Sequence, residues 1–311
     1  MPWWAEAPTA KAKGGVGKRG PGYKPAPLVA CEPAMPRSAF ISRTRSVLAC
    51  TLVLSAAVSA QATNPAGIDW LPIAALPNAA SGGAAAFDIA RTETTVGQFR
   101  RFVQATGTVT RAERAGGGQV YEAGWTAKPG WTWARPFGVP AAEDEPAVHV
   151  DFNEAQAFCR WAGARLPTDA QWVRAAYTET RPAPPPSLQR GKTYPFPTGD
   201  SPAGAQCLGD CGAAADARAV RHGAKLWRGT GHAAVSATPA GVNGLHDMGA
   251  NAWEWVDEPP GAGGSVERRT RGGSWWYGSA QMRADHLQGK PPETTVVYIG
   301  FRCARGPAAA P

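Results

Sequence analysis

The chain has 311 residues and a formal net charge of +8. Residues 1–62 hold eight Lys and Arg and two Asp and Glu, so the remaining 249 residues carry only 24 − 22 = +2. No strongly basic segment is left to suggest a nucleic-acid-binding protein. A chain of that length can bury one sizeable core.

The first 62 residues have two different compositions. Residues 1–34 are rich in Gly, Pro, Lys and Ala without a hydrophobic period, and we expect them to be disordered or a mis-assigned start. Residues 35–62 have the pattern of a signal peptide, because arginines precede a short apolar run and the small residues of VSAQA follow it. Cleavage is expected after Ala60 or Ala62. The apolar run is too short for a stable membrane anchor, so we predict a periplasmic or secreted protein.

Few regular elements are expected after this leader. Residues 63–86 are rich in Ala, Pro and Gly and have the composition of a linker. The sequence FDIARTETTV predicts a strand that leads to a helix, with Thr94 or Thr95 as its cap and Gly107 at its end.

Two further helices and one late strand are predicted. One helix begins at Asn153, and another begins at Thr168, where TDAQ has the form of a capping box. Residues 192–240 are expected to form loops, and VVYIGFRCA near the end alternates as a strand does. Few helices, many loops and 11 tryptophans after the leader predict an α+β domain with low regular secondary structure.

Four cysteines follow the leader, and an even number in an exported protein favours disulfides. Cys207 and Cys211, in CLGDC, are close enough to bridge across a glycine turn. Cys159 and Cys303 would then close a very long loop, worth about 4–5 kcal/mol in the chain-entropy model. The alternative for CLGDC is half of a zinc site, although no second Cys or His pair stands at zinc spacing.

The most informative stretch runs from Asn243 to Ser274. Asp247 and Glu254 bracket a short loop that is closed by two tryptophans. Together with the free carbonyls of the loop, these carboxylates could give a hard cation its oxygen ligands. The alternative is an Asp that caps a turn, a surface Glu and two core tryptophans.

Several ordered motifs resemble one known family. HDMGANAWEW, then RGGSW and finally GFRCAR, with PAVHVDFNEAQAFCRWAGARLPTDAQW upstream, are similar to the formylglycine-generating enzyme (sulfatase-modifying factor) family. The resemblance covers residues 87–305, which we take as the domain. It implies a single C-type-lectin-like fold. It also supports the bridge between Cys159 and Cys303, since some members pair cysteines at the matching AFC and GFRC positions.

The resemblance also implies a structural calcium ion. Its ligands would be the side chains of Asp247 and Glu254 and the carbonyls of Ala250 and Ala252. The family usually has glycine where Ala250 stands, so a left-handed backbone at that position would be strained.

Copper is not an expected cofactor. Members that convert a sulfatase cysteine to formylglycine hold copper(I) with two cysteines placed shortly after GGS, and soft thiolates suit that ion. Tyr277 and Met282 stand at roughly these two positions. The resemblance therefore implies a member without this copper-dependent activity, and it leaves any other redox metal open.

A cleft around the GGSW turn is the predicted active site. Ser274 and Trp253 match family residues beside the reaction centre. Other polar side chains downstream could transfer protons, and the aromatic residues could form a groove unless the two tryptophans after Ser274 belong to the core. The predicted catalytic residues are Ser274, Tyr277, Asp285 and His286, and the predicted substrate-binding residues are Trp253, Trp275, Trp276 and Arg283.

Two classes of function are compatible with these features. The first is an exported oxidative maturation or accessory enzyme that acts on a peptide or a small peptide-derived substrate. The second is a non-catalytic module that binds a peptide or a glycan in the same cleft. The possible proton-transfer groups favour the enzyme, and the missing thiolates favour the module. Nucleic acid is not an expected partner, and the oligomeric state is left open.

Overall fold

A computed structural model describes residues 64–75, 85–212, 214–258 and 266–307, all within one structural unit. The disordered start and the signal peptide predicted for residues 1–62 lie outside the described residues. Within these four ranges, no helix is long and apolar enough to cross a membrane.

The described chain combines short helices with short strands, which confirms the predicted α+β class with low regular content. The helices are α1 Val96–Thr106, α2 Arg111–Arg114, α3 Phe152–Trp161, α4 Asp169–Tyr177 and α5 Ala214–Arg218, with 3-10 turns at Val242–Gly244 and Ser279–Met282. The strands are β1 Trp70–Ile73, β2 Phe87–Ala90, β3 Gln119–Tyr121, β4 Trp125–Ala127, β5 Trp253–Val256, β6 Arg268–Arg271, β7 Gln288–Lys290, β8 Ile299–Gly300 and β9 Ala304–Arg305.

The strands form two small sheets and a separate hairpin. One sheet has the order β1-β2-β9, the other has the order β7-β6-β5-β8, and β3 pairs with β4. Within the second sheet β5 and β8 run parallel, whereas the other pairs are antiparallel. Strands β8 and β9 belong to different sheets although only the segment 301–303 separates them. This segment therefore passes from one sheet to the other.

The linker predicted for residues 63–86 is wrong for its first half. Trp70–Ile73 form β1, which pairs antiparallel with β2 along its whole length. Ala66 and Ile68 are buried just before it. The prediction failed because the segment is rich in Ala, Pro and Gly and its apolar stretch WLPI is short. Since β1 pairs with β2, the domain begins before Phe87.

Side-chain caps decide where the longer helices begin. Thr95 Oγ1 accepts the Gln98 N–H at 3.1 Å, and Gln98 Oε1 accepts the Thr95 N–H at 3.0 Å, which is a capping box at the start of α1. Helix α1 ends at Gly107 in the left-handed conformation (φ +68°), as predicted. The capping box predicted for α4 is also present. Helix α3 begins one residue earlier than predicted because Asp151 caps it.

Helices α1 and α3 pack through an aromatic cluster. The rings of Phe99 and Phe158 lie 5.8 Å apart, centroid to centroid. Phe301, from the segment between β8 and β9, contacts them at 6.3 and 5.3 Å. The helices are therefore packed on the same residues that connect the two sheets.

The described part of the chain contains two disulfides, and both predicted pairings are confirmed. Cys159 in α3 is bonded to Cys303 across a sequence separation of 144, and both residues are fully buried. Cys207 is bonded to Cys211 across a separation of 4. The long bridge fastens the segment 301–303 to α3.

His149 is a buried histidine with one hydrogen bond to the backbone. Its Nε2 lies 3.0 Å from the carbonyl oxygen of Pro136, and its Nδ1 has no hydrogen-bond partner. Burial lowers the pKa of His149 to about 4. The ring is therefore neutral near pH 7, with Nε2 donating its proton to Pro136.

Lowering the pH from 7.5 to 5 should reduce the free energy of unfolding by about 2 kcal/mol through His149. A histidine in the unfolded chain takes up a proton as the pH falls through about 6.5, whereas the buried ring does not. Stability is therefore lost as the pH falls toward the depressed pKa. Urea unfolding at the two pH values measures this loss. The variant His149→Gln keeps an N–H donor and does not titrate, so its pH dependence should be smaller, and equal pH dependence in both proteins would contradict the assignment.

Candidate active site

Two of the motifs that carry the family resemblance, HDMGANAWEW and RGGSW, pack against each other. Strands β5 and β6 are paired, and the turn after β6 continues the contact. The Ala250 N–H donates to the Gly272 carbonyl at 2.8 Å, and the Trp275 N–H donates to the Asn251 carbonyl at 3.0 Å. Gly272 has a φ of +98°, and a Cβ there would lie 2.7 Å from the Met248 carbonyl oxygen, so this position requires glycine.

The acidic loop before β5 has a strained backbone. Asp247, Ala250 and Asn251 adopt left-handed φ angles of 58°, 64° and 55°. Asp and Asn tolerate this conformation, but for Ala250 it costs on the order of 1–3 kcal/mol. The strain predicted for Ala250 is thus confirmed. Such strain persists only where the surroundings fix the backbone, and here Gly272 and Gln206 hold the N–H groups of residues 250 and 251.

Glu254 lies at the centre of a buried hydrogen-bond network. Arg302 Nε donates to its two oxygens at 2.9 and 2.8 Å, and Arg302 Nη2 donates to Oε1 at 2.7 Å. Trp172 Nε1 donates to Oε2 at 2.7 Å. The side chains of Arg302 and Glu254 are 0% and 1% exposed, so water does not screen the pair. The other N–H groups of Arg302 donate to backbone carbonyls of Ala90, Arg91 and His246.

Two more buried carboxylates, Glu93 and Asp247, lie near the Arg302 guanidinium. Glu93 accepts hydrogen bonds from the Asn251 side chain at 2.6 Å and from the Ala252 N–H at 2.9 Å. Burial raises the pKa of Glu93 well above its usual value, the charges of the neighbouring carboxylates add to this shift, and burial also raises the pKa of Asp247. When all three carboxylates are ionised, they carry two more negative charges than the guanidinium neutralises.

The four predicted calcium ligands suit a hard cation in their chemistry. All are oxygen donors, all are buried, and the surplus of negative charge favours a dication. Their hydrogen-bond partners differ, however. Asp247 accepts from the Ser236 N–H at 3.0 Å and from the Thr238 hydroxyl at 2.5 Å, whereas Glu254 accepts from Arg302. A calcium ion at this loop would therefore share Glu254 with the guanidinium.

An aromatic site lies at the start of β5, and we define it as Trp253, Tyr277, His286, Gln288 and Tyr298. The side chain of Gln288 belongs to it because it is hydrogen-bonded to Tyr277. The ring of Trp253 lies 5.9 Å from that of Tyr277 and 5.7 Å from the imidazole of His286. The rings of Tyr277 and Tyr298 lie 5.9 Å apart. The structure thus brings together three of the predicted site residues, Trp253, Tyr277 and His286.

Three buried polar atoms of the aromatic site have no hydrogen-bond partner. They are Trp253 Nε1, His286 Nε2 and Gln288 Oε1. Leaving such an atom unpaired costs about 1–3 kcal/mol, so groups of this kind mark a place where a bound molecule can complete the bonding. Together they offer an N–H donor, a carbonyl acceptor and a ring nitrogen.

The two titratable side chains in contact with Trp253 have opposite protonation preferences. Burial lowers the pKa of His286 and raises the pKa of Tyr277. At neutral pH the imidazole is neutral and the phenol is protonated. The aromatic site therefore pairs a proton acceptor with a proton donor.

The other predicted site residues do not contact Trp253, although the rings of Trp275 and Trp276 lie 6.4 and 5.5 Å from that of Tyr298. Ser274 is fully buried, and its Oγ accepts the Trp276 N–H at 3.4 Å. Arg283 and Asp285 form an ion pair of 3.5 Å with side chains that are 50% and 78% exposed. Trp275 and Trp276 are each 1% exposed and belong to a large apolar cluster, as the core alternative predicted.

Comparison with known proteins identifies the family. Residues 73–307 match the profile described as "Sulfatase-modifying factor enzyme 1-like domain". The chain belongs to this family. The match confirms the predicted resemblance and the C-type-lectin-like α+β class that goes with it, and the family is one of formylglycine-generating-enzyme-like oxidative enzymes.

Three relatives show the range of this sulfatase-modifying-factor family. The formylglycine-generating enzyme of Thermomonospora curvata is 28% identical over 263 residues, which cover 68% of this chain and 78% of the relative. The hercynine oxygenase of Mycolicibacterium thermoresistibile is 31% identical over 251 residues, or 70% of this chain and 50% of the relative. The "Inactive C-alpha-formylglycine-generating enzyme 2" of Mus musculus is 29% identical over 245 residues, or 66% of this chain and 70% of the relative.

Four residues of the buried network and the aromatic site were not predicted from the sequence: Arg302, Glu93, Gln288 and Tyr298. Arg302 had a usable signal, because it is a lone charge in the apolar run VVYIGFRCA and a buried charge requires a partner. Glu93 and Gln288 stand in short polar stretches without a period. Nothing local distinguishes them from surface residues.

Replacing Arg302 by Met should lower the free energy of unfolding by about 3–5 kcal/mol, because Glu254 would remain buried and unpaired. Urea unfolding measures this loss. Adding Glu254→Gln to Arg302→Met removes the uncompensated charge and should recover part of it.

The matched control is Arg91→Met. Arg91 pairs with Asp69 at 2.5 Å, but the two side chains are 38% and 66% exposed. Loss of this pair should cost less than about 1 kcal/mol. Equal losses in the two single variants would contradict the importance assigned to the buried pair.

Proposed function

We propose that this protein is an exported oxidative maturation or accessory enzyme that acts on a peptide or a small peptide-derived substrate at the aromatic site. The unpartnered polar atoms of Trp253, His286 and Gln288 carry this proposal, because a donor and an acceptor beside aromatic faces match the groups of a peptide. The relatives named formylglycine-generating enzyme and hercynine oxygenase support oxidative chemistry. The signal-peptide pattern and the two disulfides support export.

Four residues of the aromatic site have a role in the proposed reaction. The Trp253 N–H and the Gln288 carbonyl orient the substrate through hydrogen bonds. The proposed oxidant is dioxygen, which takes two electrons and two protons from the substrate and becomes hydrogen peroxide. The neutral imidazole of His286 accepts and passes on one of these protons. Tyr277 is protonated and donates a hydrogen bond to an oxygen of the substrate.

The copper-dependent conversion of a sulfatase cysteine is not the reaction that we propose. Tyr277 and Met282 stand where the resemblance would place the two copper thiolates, and neither side chain can form a thiolate. Turnover of a sulfatase-motif peptide by the purified protein would overturn this part of the proposal.

Oxygen consumption with a panel of short peptides tests the enzymatic function. Peptides that bind the purified protein should also support oxygen uptake. Tyr277→Phe and His286→Gln should each reduce the rate by about 100-fold or more while the bound peptide is retained, because each removes a proton-transfer group. The control is Glu143→Gln, because Glu143 is 66% exposed and pairs with Arg100 outside the aromatic site. This variant should keep the rate within about twofold. Peptide binding without oxygen uptake would rule out the enzymatic function.

A non-catalytic peptide- or glycan-binding module is the second candidate. The relative named "Inactive C-alpha-formylglycine-generating enzyme 2" favours it, as do the non-thiolate side chains at positions 277 and 282. Binding of a peptide or glycan that is weakened by Trp253→Phe and His286→Gln, without oxygen uptake, would establish this function.

We also propose that calcium stabilises the acidic loop, because the unmatched carboxylate charge beside Arg302 would be neutralised by a dication. Calcium should raise the midpoint of thermal unfolding, and a chelator should lower it. Asp247→Asn removes one charge at nearly constant volume and should abolish the calcium-dependent part of the shift, whereas Asp285→Asn should retain it. An unchanged midpoint with calcium and with chelator would refute this role.

A further inference from the structure

Three sulfur atoms meet beside the aromatic site, in Cys207, Cys211 and Met282, which we call the sulfur cluster. The two cysteines form the short disulfide, and Met282 Sδ lies 3.6 Å from Cys211 Sγ. The three residues are 4%, 2% and 0% exposed. Their position is set by contacts that do not involve the disulfide.

Hydrogen bonds hold the loop 207–211 against the segment that contains Met282. The Leu208 N–H donates to the Tyr277 carbonyl at 2.9 Å. Asp210 accepts from the N–H of Ser279 at 2.8 Å and from its hydroxyl at 2.6 Å. Reduction of the disulfide leaves these bonds in place, so the cysteine sulfurs stay close to Met282.

The reduced sulfur cluster supplies two thiolates and one thioether. Among the described residues, Cys207, Asp210 and Cys211 form a group whose ligand atoms lie within 4.8 Å of one another. Both oxygens of Asp210 accept hydrogen bonds from Ser279. Met282 Sδ adds a soft donor atom to this group. Sulfur atoms that bind one ion at about 2.3 Å lie at most about 4.6 Å apart, and the present separation of Met282 from Cys211 falls within that limit.

The surroundings of the sulfur cluster favour a soft ion. Ala205, Ala250 and Phe196 pack around it, so it lies in an apolar pocket. Asp210 Oδ1 lies 3.4 Å from Cys207 Sγ and can accept a hydrogen bond from the reduced thiol. Thiolate and thioether ligands select copper(I), whereas hard ions require oxygen ligands.

We propose that the reduced sulfur cluster is a binding site for a soft monovalent cation, copper(I). A dithiol gives two electrons and two protons to the Cys207–Cys211 disulfide and itself becomes a disulfide. Copper(I) then displaces the two thiol protons and binds both thiolates and the Met282 thioether. Gly209 and Asp210 are exposed, so a reductant can reach the loop. The thiolates of this site come from the loop 207–211 and not from positions 277 and 282.

Copper(I) titration of the full chain tests this site. The protein carries Cys31→Ser and Cys50→Ser, is reduced with a dithiol that is then removed anaerobically, and competes with a chromogenic copper(I) chelator. The reduced protein should bind one copper(I) and the oxidised protein none. X-ray absorption should show sulfur ligands at about 2.3 Å. Copper bound equally by the oxidised protein would overturn the site.

Variants locate the bound copper. Cys207→Ser with Cys211→Ser should abolish binding, and Met282→Leu should weaken it by about tenfold or more. Met248→Leu is the matched control, since Met248 is another buried methionine (3% exposed) in a different cluster. It should leave the affinity unchanged. Copper retained without Cys207 and Cys211, equal affinity of the Met282→Leu protein, or preference for zinc with loss in Asp210→Asn would each refute the site.

Discussion

The buried pair of Arg302 and Glu254 joins strand β5 to the segment 301–303 and, through Trp172, to helix α4. Glu254 belongs to β5, and Arg302 belongs to the short segment that passes between the two sheets. Trp172 adds helix α4 to the same carboxylate. A buried ion pair contributes little net stability compared with well-packed apolar residues, but a misplaced one is costly. The main effect of the pair is therefore to specify the register of β5, because any other register would bury an unpaired charge.

The candidate active site depends on this pair through the geometry of a single strand. Neighbouring residues of a strand point to opposite faces, so Glu254 and Trp253 serve two different surroundings. On one face the carboxylate is held by Arg302 and Trp172. On the other the indole contacts Tyr277 and His286. The ion pair on the Glu254 face of β5 thereby fixes the position of the Trp253 ring on the other face. The strained backbone at Ala250 leads the chain into β5 in this orientation.

Local chemistry was the part of the fold that the sequence could predict. The threonine cap and the final glycine of α1, the capping box of α4 and the short disulfide each depend on residues within a few positions of one another. Strand β1 was missed because its partner is far along the chain and its composition resembles a linker. The sequence also could not decide whether Trp275 is buried, because an aromatic residue can lie either in a core or in a groove. The partners of Arg302 could not be predicted either, because they come from three distant segments.

Both sheets receive a strand from the last residues of the domain, since β8 completes one and β9 completes the other. The sheet β7-β6-β5-β8 cannot be completed until residue 300 has left the ribosome, and the sheet β1-β2-β9 cannot be completed until residue 305 has. This topology therefore limits how much of the domain can fold while the chain is still being synthesised. A polypeptide that stays open until its final strands emerge can still be threaded through a narrow translocation channel.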